Sequence, residues 1–392
     1  MSKLGVAFFT NESKPKGGYY YRDGLVSDFN SAADLDMSVA WITNVPYRAY
    51  TDSGFQSIPH IKPEQFLRLS ITQMMRELNI SANIDGIEKL GELVASISNH
   101  MESIFGLDPI SSNYRLNQGL TEKLIPASYF EFASNTPPSA QVALDNAYQS
   151  LQGATKSKSS ANAKCRHYTF PRMAHFEFLM NQNFPLNSHW TEFSFKDGKT
   201  VAGVVNGKSL PNTAEVISGL KSLNLNTAAI LNIHVKSMSK NRMQGFAFGN
   251  EGININMRVW ACLPEVIDML RYCEIEILGG IKTEGGKLDI RPEINLETNR
   301  YCFAKGVSAE NVWTGLSEKR TKNGAKCSTG LGVYLKAYDR ILCGRLAEAF
   351  MAENYRLAGF GIGGVRVWGQ PSEFSKLDKI AEQFFAMPDL RG

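Results

Sequence analysis

The chain has 392 residues, of which 43% are hydrophobic and 20% charged, with a formal net charge of +4. This composition supports a sizeable core in one large or two smaller domains and excludes wholesale disorder. No apolar run reaches roughly 18 residues, so no membrane-spanning helix is expected, and the apolar stretch of "MSKLGVAFFTNESK" is too short for a secretory signal.

The start, "KLGVAFFT", reads as a buried strand: a short apolar run closed by Asn11, Glu12 and Ser13. "KPKGGYYYRDG" follows as a glycine-rich turn or hairpin, and "MSVAWITNV" is a second apolar strand. "SDFNSAADLD" and "PYRAYTDSGFQSIP" have loop composition. "KPEQFLRLSITQMMREL" predicts a helix with Pro63 in its first turn. "IDGIEKLGELVASISNHMESIFGL" places Ile84, Ile87, Leu90, Val94, Ile97, Met101 and Ile104 at helical spacing. "PPSAQVALDNAYQSLQG" is a third helix, from a proline start to a glycine stop.

Residues 153–164, "GATKSKSSANAK", are small and polar and predict a linker or loop. Beyond them "HYTFPRMAHFEFLM", "HWTEFSFKDGKTVAGVVNGK" and "TAAILNIHVKSM" are aromatic and β-branched, with Asp-Gly and Asn-Gly turns. "INMRVWACL" and "EIEILGGIK" are strands flanking the short helix "PEVIDMLRYC". "LDIRPEINLE" suits an edge strand, because Pro292 lacks the N–H of a central ladder. "SAENVWTGLSEK" and "GVYLKAYDRILCGRLAEAFMAENYRL" are helical, and strand "VRVWG" and helix "PSEFSKLDKIAEQFFAM" close the chain. The expected class is α+β: an acidic, helix-rich part over 1–155 with an N-terminal strand pair, then a basic part over 165–392 with a mixed, mainly antiparallel sheet and helices.

Charge divides the same way. Residues 1–150 carry 11 Lys+Arg against 16 Asp+Glu, and residues 151–392 carry 31 against 22. A basic C-terminal part beside an acidic N-terminal part suits an anionic partner or head-to-tail packing of like subunits.

Three segments mix cations with aromatics, as a single-stranded nucleic acid requires of its binder: charge follows the phosphates and rings stack on bases. "KSKSSANAKCRHYTFPR" holds Lys156, Lys158, Lys164, Arg166 and Arg172 without an acid. "EKRTKNGAK", read as a loop between helices, holds Lys319, Arg320, Lys322 and Lys326. "KPKGGYYYR" holds Tyr20 and Arg22. The bland reading of each is a solvated polar loop.

"YRLAGFGIGGVRVWG", Tyr355 to Gly369, fits G-x-G-x-x-G at Gly359, Gly361 and Gly364. A dinucleotide site needs strand, loop, then helix, so that a helix N-terminus meets the pyrophosphate. Here the long helix comes first and offers its carbonyl end. The expected role is a helix C-cap and tight turn; a backbone that tracks a polyanion beside Arg356 and Arg366 is the other reading. This helix, glycine loop and Val365-Arg366-Val367 strand resemble the glycine loop of RAMP-type backbone subunits in CRISPR effectors. The resemblance implies a subunit of an ordered assembly on nucleic acid.

No Walker loop and no G-x-S-x-G elbow is present. Cys165, His167, His175 and His189 match no common zinc spacing, so no metal is expected. Cys165 and His167 project in parallel from one strand face and cannot face each other as nucleophile and base. Asp34 with Asp36, Asp23 with Asp28, and Glu274 with Glu276 are carboxylate pairs of the kind that bind Mg²⁺; the last alternates with Ile275 and Ile277 and reads as a solvated strand face. The six cysteines form no C-x-x-C pair and suggest free thiols in a reducing, cytoplasmic compartment. These features favour a non-enzymatic nucleic-acid-binding subunit without catalytic residues or cofactor, binding single strands and associating with itself or other subunits. A viral or phage coat or nucleocapsid protein, and a metal-dependent enzyme acting on nucleic acid, are the alternatives.

Overall fold

The computed structural model describes residues 4–66, 69–77, 79–105, 137–149, 163–170, 181–201, 220, 227–238, 258–271, 273–287, 317, 319–322, 324–361 and 363–388. Helices and sheets are mixed, giving an α+β protein. The described residues fall into two compact units, 4–105 and 137–388.

The first unit is built on a five-stranded sheet of order β3-β2-β1-β4-β5. Its strands are β1 (Leu4–Phe9), β2 (Gly18–Arg22), β3 (Leu25–Phe29), β4 (Ala40–Thr43) and β5 (Ile61–Lys62). β1 pairs antiparallel with β2 and parallel with β4. Every residue of β1 is buried, as its uninterrupted apolar run predicts for a central strand covered on both faces. The expected hairpin forms between β2 and β3: Asp23 (φ 50°) and Gly24 (φ 86°) take the positive φ of a two-residue turn whose twist matches the strands. One face of the sheet buries Phe9, Phe29, Trp41 and Ile61. Helix α3 (Ile84–Phe105) packs on β1 and β2, burying Ile87, Leu90 and Val94, the stripe read from the sequence.

Two local expectations are corrected here. "PYRAYTDSGFQSIP", read as loop, contains the short helix α1 (Tyr47–Asp52) and a 3₁₀ turn. The helix expected over 62–78 shortens to α2 (Ile71–Glu77); Lys62 belongs to β5, and the two-residue strands β6 (Gln65–Phe66) and β7 (Leu69–Ser70) form an antiparallel pair before α2. Pro63 therefore sits between strands and not in a first helical turn.

The second unit begins with α4 (Pro138–Gln149) and carries two four-stranded sheets. One, of order β17-β18-β8-β19, joins β8 (Lys164–Thr169), β17 (Arg356–Gly361), β18 (Gly364–Gly369) and β19 (Met387–Pro388). The other, of order β10-β13-β11-β12, is antiparallel throughout and joins β10 (Thr191–Val201), β11 (Ala228–Met238), β12 (Arg258–Cys262) and β13 (Cys273–Thr283). β9 (Phe184–Pro185) pairs with β14 (Gly285–Gly286). Asp197-Gly198 makes no turn; β10 runs through it as an irregularity against β13. Helix α5 (Leu263–Met269) follows β12 as expected. The edge strand expected over 288–297, most of the helix over 308–319 and linker residues 153–162 lie outside the described residues.

Helix α6 (Gly330–Ala352) packs against both sheets, and fourteen of its residues are buried. A helix covered this broadly needs partners for the polar side chains it buries; most have them, while Arg340 Nη1 and Glu348 Oε1 are buried with no hydrogen-bond partner among the described residues. Tyr334 and Ala229 exchange two hydrogen bonds: the Ala229 N–H donates to Oη (2.6 Å) and the hydroxyl donates to the Ala229 carbonyl (2.8 Å). Ala229 lies just before the β11–β12 ladder begins at Ile230, so the phenol takes the place of a missing strand. Tyr338 donates to the Asn183 carbonyl. Arg340 donates from Nε to Glu265 Oε1 (2.7 Å) and from Nη2 to the Ala147 carbonyl, which ties α6 to α5 and α4. Both members of this ion pair are 3% exposed.

Removing one member of so deeply buried a pair strands the other charge. Arg340→Met is therefore expected to lower unfolding free energy by about 3–5 kcal/mol, read as a reduced denaturant midpoint; a loss below ~1 kcal/mol would contradict the role assigned to the pair.

Candidate functional site

The glycine-rich segment is a hairpin turn, which corrects the expected helix C-cap. α6 has already stopped before it. Asn354 takes the left-handed conformation (φ 65°), its N–H donates to the Met351 carbonyl, and the Tyr355 N–H reaches the Phe350 carbonyl. That is the double bond pattern of a Schellman stop, with Asn in the place where Gly is commonest. Arg356 to Gly361, expected as helix end and loop, form β17, and the chain turns back into β18. The loop is also not free to offer its backbone to a phosphate throughout: the Gly363 N–H donates to Asp339 Oδ2 at 2.6 Å, and Asp339 is a fully buried residue of α6.

This hairpin and β8 make a sheet that the described residues cover on one face and leave open on the other. On the covered side Val365, Val367, Leu357, Phe360 and Tyr168 pack against Phe350 and Leu346 of α6 and Leu377 of α7 (Phe374–Glu382). Strand alternation then fixes the opposite face. Arg356, Trp368 and Cys165 stand in one cross-strand row; Gly359, Arg366 and His167 stand in the next. The rows are two residues, about 6.8 Å, apart. Gly364 lies under the His167 ring: a Cβ there would come within 2.6 Å of its Nε2. Arg356, Arg366 and Cys165 are exposed. Neither arginine has an ion-pair partner among the described residues. Burial raises the Cys165 thiol pKa and Arg366 pulls against that shift. None of the four strands of this sheet contains an acidic residue.

At the end of this face, where β8 begins and β18 finishes, an open pocket of about 380 Å³ is walled by Trp368, Tyr355, Arg356, Gln370, Glu373 and Lys376, among others. Trp368 Nε1 is buried and has no acceptor among the described residues. An unmet indole N–H costs about 1–3 kcal/mol, and this one lies beneath the surface, without exposure to the pocket. Lys376 pairs with Glu353 (2.8 Å) and lies 5.6 Å from the Tyr355 ring centre.

The other cations singled out in the sequence have different settings. Arg166 points to the covered side, where Nε and Nη2 donate to the two carboxylate oxygens of Asp378 (3.0 and 2.9 Å) and the guanidinium stacks 4.6 Å from the Phe374 ring. The Tyr168 hydroxyl donates to the same carboxylate, and burial together with that bond raises its pKa. Lys164 is exposed at the end of β8. Lys319 donates to Asp145 (3.2 Å) and lies 5.1 Å from the Tyr148 ring centre. Arg320, Lys322 and Lys326 do not lie in a plain loop: they belong to a hairpin of β15 (Arg320–Lys322) and β16 (Ala325–Cys327), whose flank Asp145 holds by accepting from Ser328 N and Oγ. Lys326 is exposed. Arg22 pairs with Asp36 (2.6 Å), and Tyr20 packs edge-on to Trp41 in the first unit. Lys156, Lys158, Arg172 and His175 lie outside the described residues.

Among the carboxylates weighed for a cation, Asp36 accepts from the Ser38 N–H and hydroxyl and from Arg22, which brings its pKa down to about 2. Asp34 accepts from the Asn30 and Ser31 N–H groups. Glu276 is held by Lys236 (2.7 Å) and His234 (3.2 Å), and their hydrogen bonds lower its pKa. Among the described residues no group of three His, Cys, Asp or Glu side chains is placed to hold a metal ion. Also among them, no helix is long and apolar enough to cross a membrane, and the described cysteines form no disulfide.

Two outcomes follow from these contacts. Asp339→Ala removes the carboxylate that fastens the glycine hairpin, a charge-assisted bond worth about 1.5–3 kcal/mol; the Gly363 amide is expected to exchange with solvent faster than in wild type, while Asp339→Asn largely preserves its protection. Lys336 lies with Nζ 3.4 Å from the Tyr148 ring centre, and burial, Arg340 and Lys319 lower its pKa from 10.5 to about 8. A lysine whose folded pKa is lowered binds fewer protons folded than unfolded between those values, so its stability contribution rises with pH from about 8 to 10.5. Lys336→Met is expected to flatten that rise in denaturant midpoints; an unchanged profile would show that the ring contact offsets the desolvation.

No protein-family model matches the sequence, and no curated protein matches it. Solved structures with a similar course are phi29 DNA polymerase complexed with primer-template DNA and incoming nucleotide substrates (9% identity, 93% of this chain and 80% of that one, TM-score 0.48). Others are the same polymerase in its post-translocation binary complex with primer-template DNA (10%, 93% and 80%, 0.48) and with single-stranded DNA (10%, 79% and 60%, 0.43). Likeness of this degree assigns the chain to no family.

Proposed function

We propose that this chain is a non-enzymatic nucleic-acid-binding protein that carries a single strand across the open face of β17, β18 and β8 and acts as a subunit of an ordered ribonucleoprotein-like assembly. One observation carries the reading: Arg356 and Arg366 stand exposed on neighbouring rows of an acid-free sheet, alongside Trp368 and His167. Unpaired cations at regular spacing suit phosphates, and rings between them suit bases, which a single strand leaves free to stack. A flat sheet face reaches such a strand without needing a groove. The engaged state of Asp34, Asp36 and Glu276 supports the non-enzymatic part. The basic excess of residues 151–392 against the acidic excess of 1–150 supports head-to-tail contact between copies along a polyanion. Free thiols fit a reducing compartment such as the cytoplasm.

The test is the salt dependence of binding to short single-stranded DNA and RNA. Arg366→Ala and Arg356→Ala are each expected to weaken binding of all sequences alike and to reduce the slope of log K against log salt by about 0.7. Lys319→Ala, which removes a lysine already paired with Asp145, is expected to leave the slope nearly unchanged. Negligible binding by the wild type at low salt, or slopes indifferent to both arginines, would overturn the proposal.

A further inference from the structure

The pocket at the end of the open face differs in character from the face itself. Within its wall Lys376 pairs with Glu353, and Glu373 adds a second acid, whereas the strands leading to it carry cations and no acid. Two carboxylates in the wall do not suit a phosphate inside it. Two aromatic residues, Trp368 and Tyr355, and the side-chain amide of Gln370 instead suit a neutral, polar, flat group. The Glu353–Lys376 ion pair bridges from the end of α6 to α7 in that wall, at the edge of the sheet where the face itself ends. Trp368 belongs both to the wall and to the row that holds Arg356, so the pocket continues the face directly.

We infer that this pocket receives the terminal nucleobase of a bound single strand, splayed off the face against Trp368, while the adjoining phosphates lie over Arg356 and Arg366. The inference rests on the single-strand reading above and adds to it an end-specific site. The volume is sufficient for one base with part of its sugar.

The experiment compares fluorescence-anisotropy affinities for an intact short single-stranded oligonucleotide and for versions with an abasic residue at the 5′ end, the 3′ end or the middle. Loss of the base at one end is expected to weaken binding about tenfold, the size of a stacked base contact, with smaller losses elsewhere. Trp368→Leu is expected to weaken the intact oligonucleotide by a similar factor and to leave the version abasic at that end unaffected, so the two losses do not add. Gln370→Ala and Lys376→Ala, at the pocket rim, provide the same comparison should Trp368→Leu fail to fold. If both end-abasic versions bind as tightly as the intact strand while Arg366→Ala weakens all of them, the end site is wrong and the face reading stands. If the wild type binds none of them at low salt, the face reading fails and the end site with it.

Discussion

The second unit depends on a desolvation constraint. α6 is buried on most of its circumference yet carries Tyr334, Tyr338, Asp339 and Arg340 within seven consecutive positions. Each would be costly to bury alone. Each finds its partner in a different element: the start of β11, the residue before β9, the glycine hairpin, and α5 with α4. The apolar remainder of the helix supplies burial without direction, whereas these four side chains specify where each neighbour sits. A fully apolar α6 would pack, but nothing would select one placement of the hairpin over another.

The open sheet face is a consequence of that placement. α6 and α7 cover only one side of β17, β18 and β8, and the side they cover is filled by valine, leucine, phenylalanine and tyrosine at alternate positions. The intervening positions must then point away, and the sequence fills them with Arg356, Arg366, His167, Cys165 and Trp368. The one cation on the covered side, Arg166, arrives with its own carboxylate, Asp378, and an aromatic plate, Phe374. The same residue type thus serves cohesion on one face and is left available on the other, according to strand parity alone.

Much of the fold was legible where a periodic pattern runs long enough. The uninterrupted apolar run of β1, the three-and-four spacing of α3 and the Glu-Ile alternation of β13 each identify their element and its buried side. Strands of two or three residues were not legible. β15 and β16 have three residues each, too few to show alternation, although Asn323-Gly324 between them is a hairpin signal. Tyr355 to Leu357 continued a helical pattern, and only Asn354, a weaker stop than glycine, marked the end of α6. The candidate interface was legible in part: Arg356 and Arg366 were singled out with the glycine segment. Which other cations are already engaged could not be read, because Arg166 meets Asp378 across 212 positions and Lys319 meets Asp145 across 174. His167 was passed over because only cross-strand register puts it beside Arg366, and Trp368 was passed over although strand alternation already places it on the face of Arg366.

Asp339 and Arg340 are adjacent in sequence, and successive residues point about 100° apart around a helix. One grips the turn of the glycine hairpin and the other grips α5 and α4. α6 is therefore locked against rotation about its own axis: turning it to ease one grip loosens the other. A displacement of the hairpin turn therefore reaches α5 and α4 through two adjacent residues of one helix.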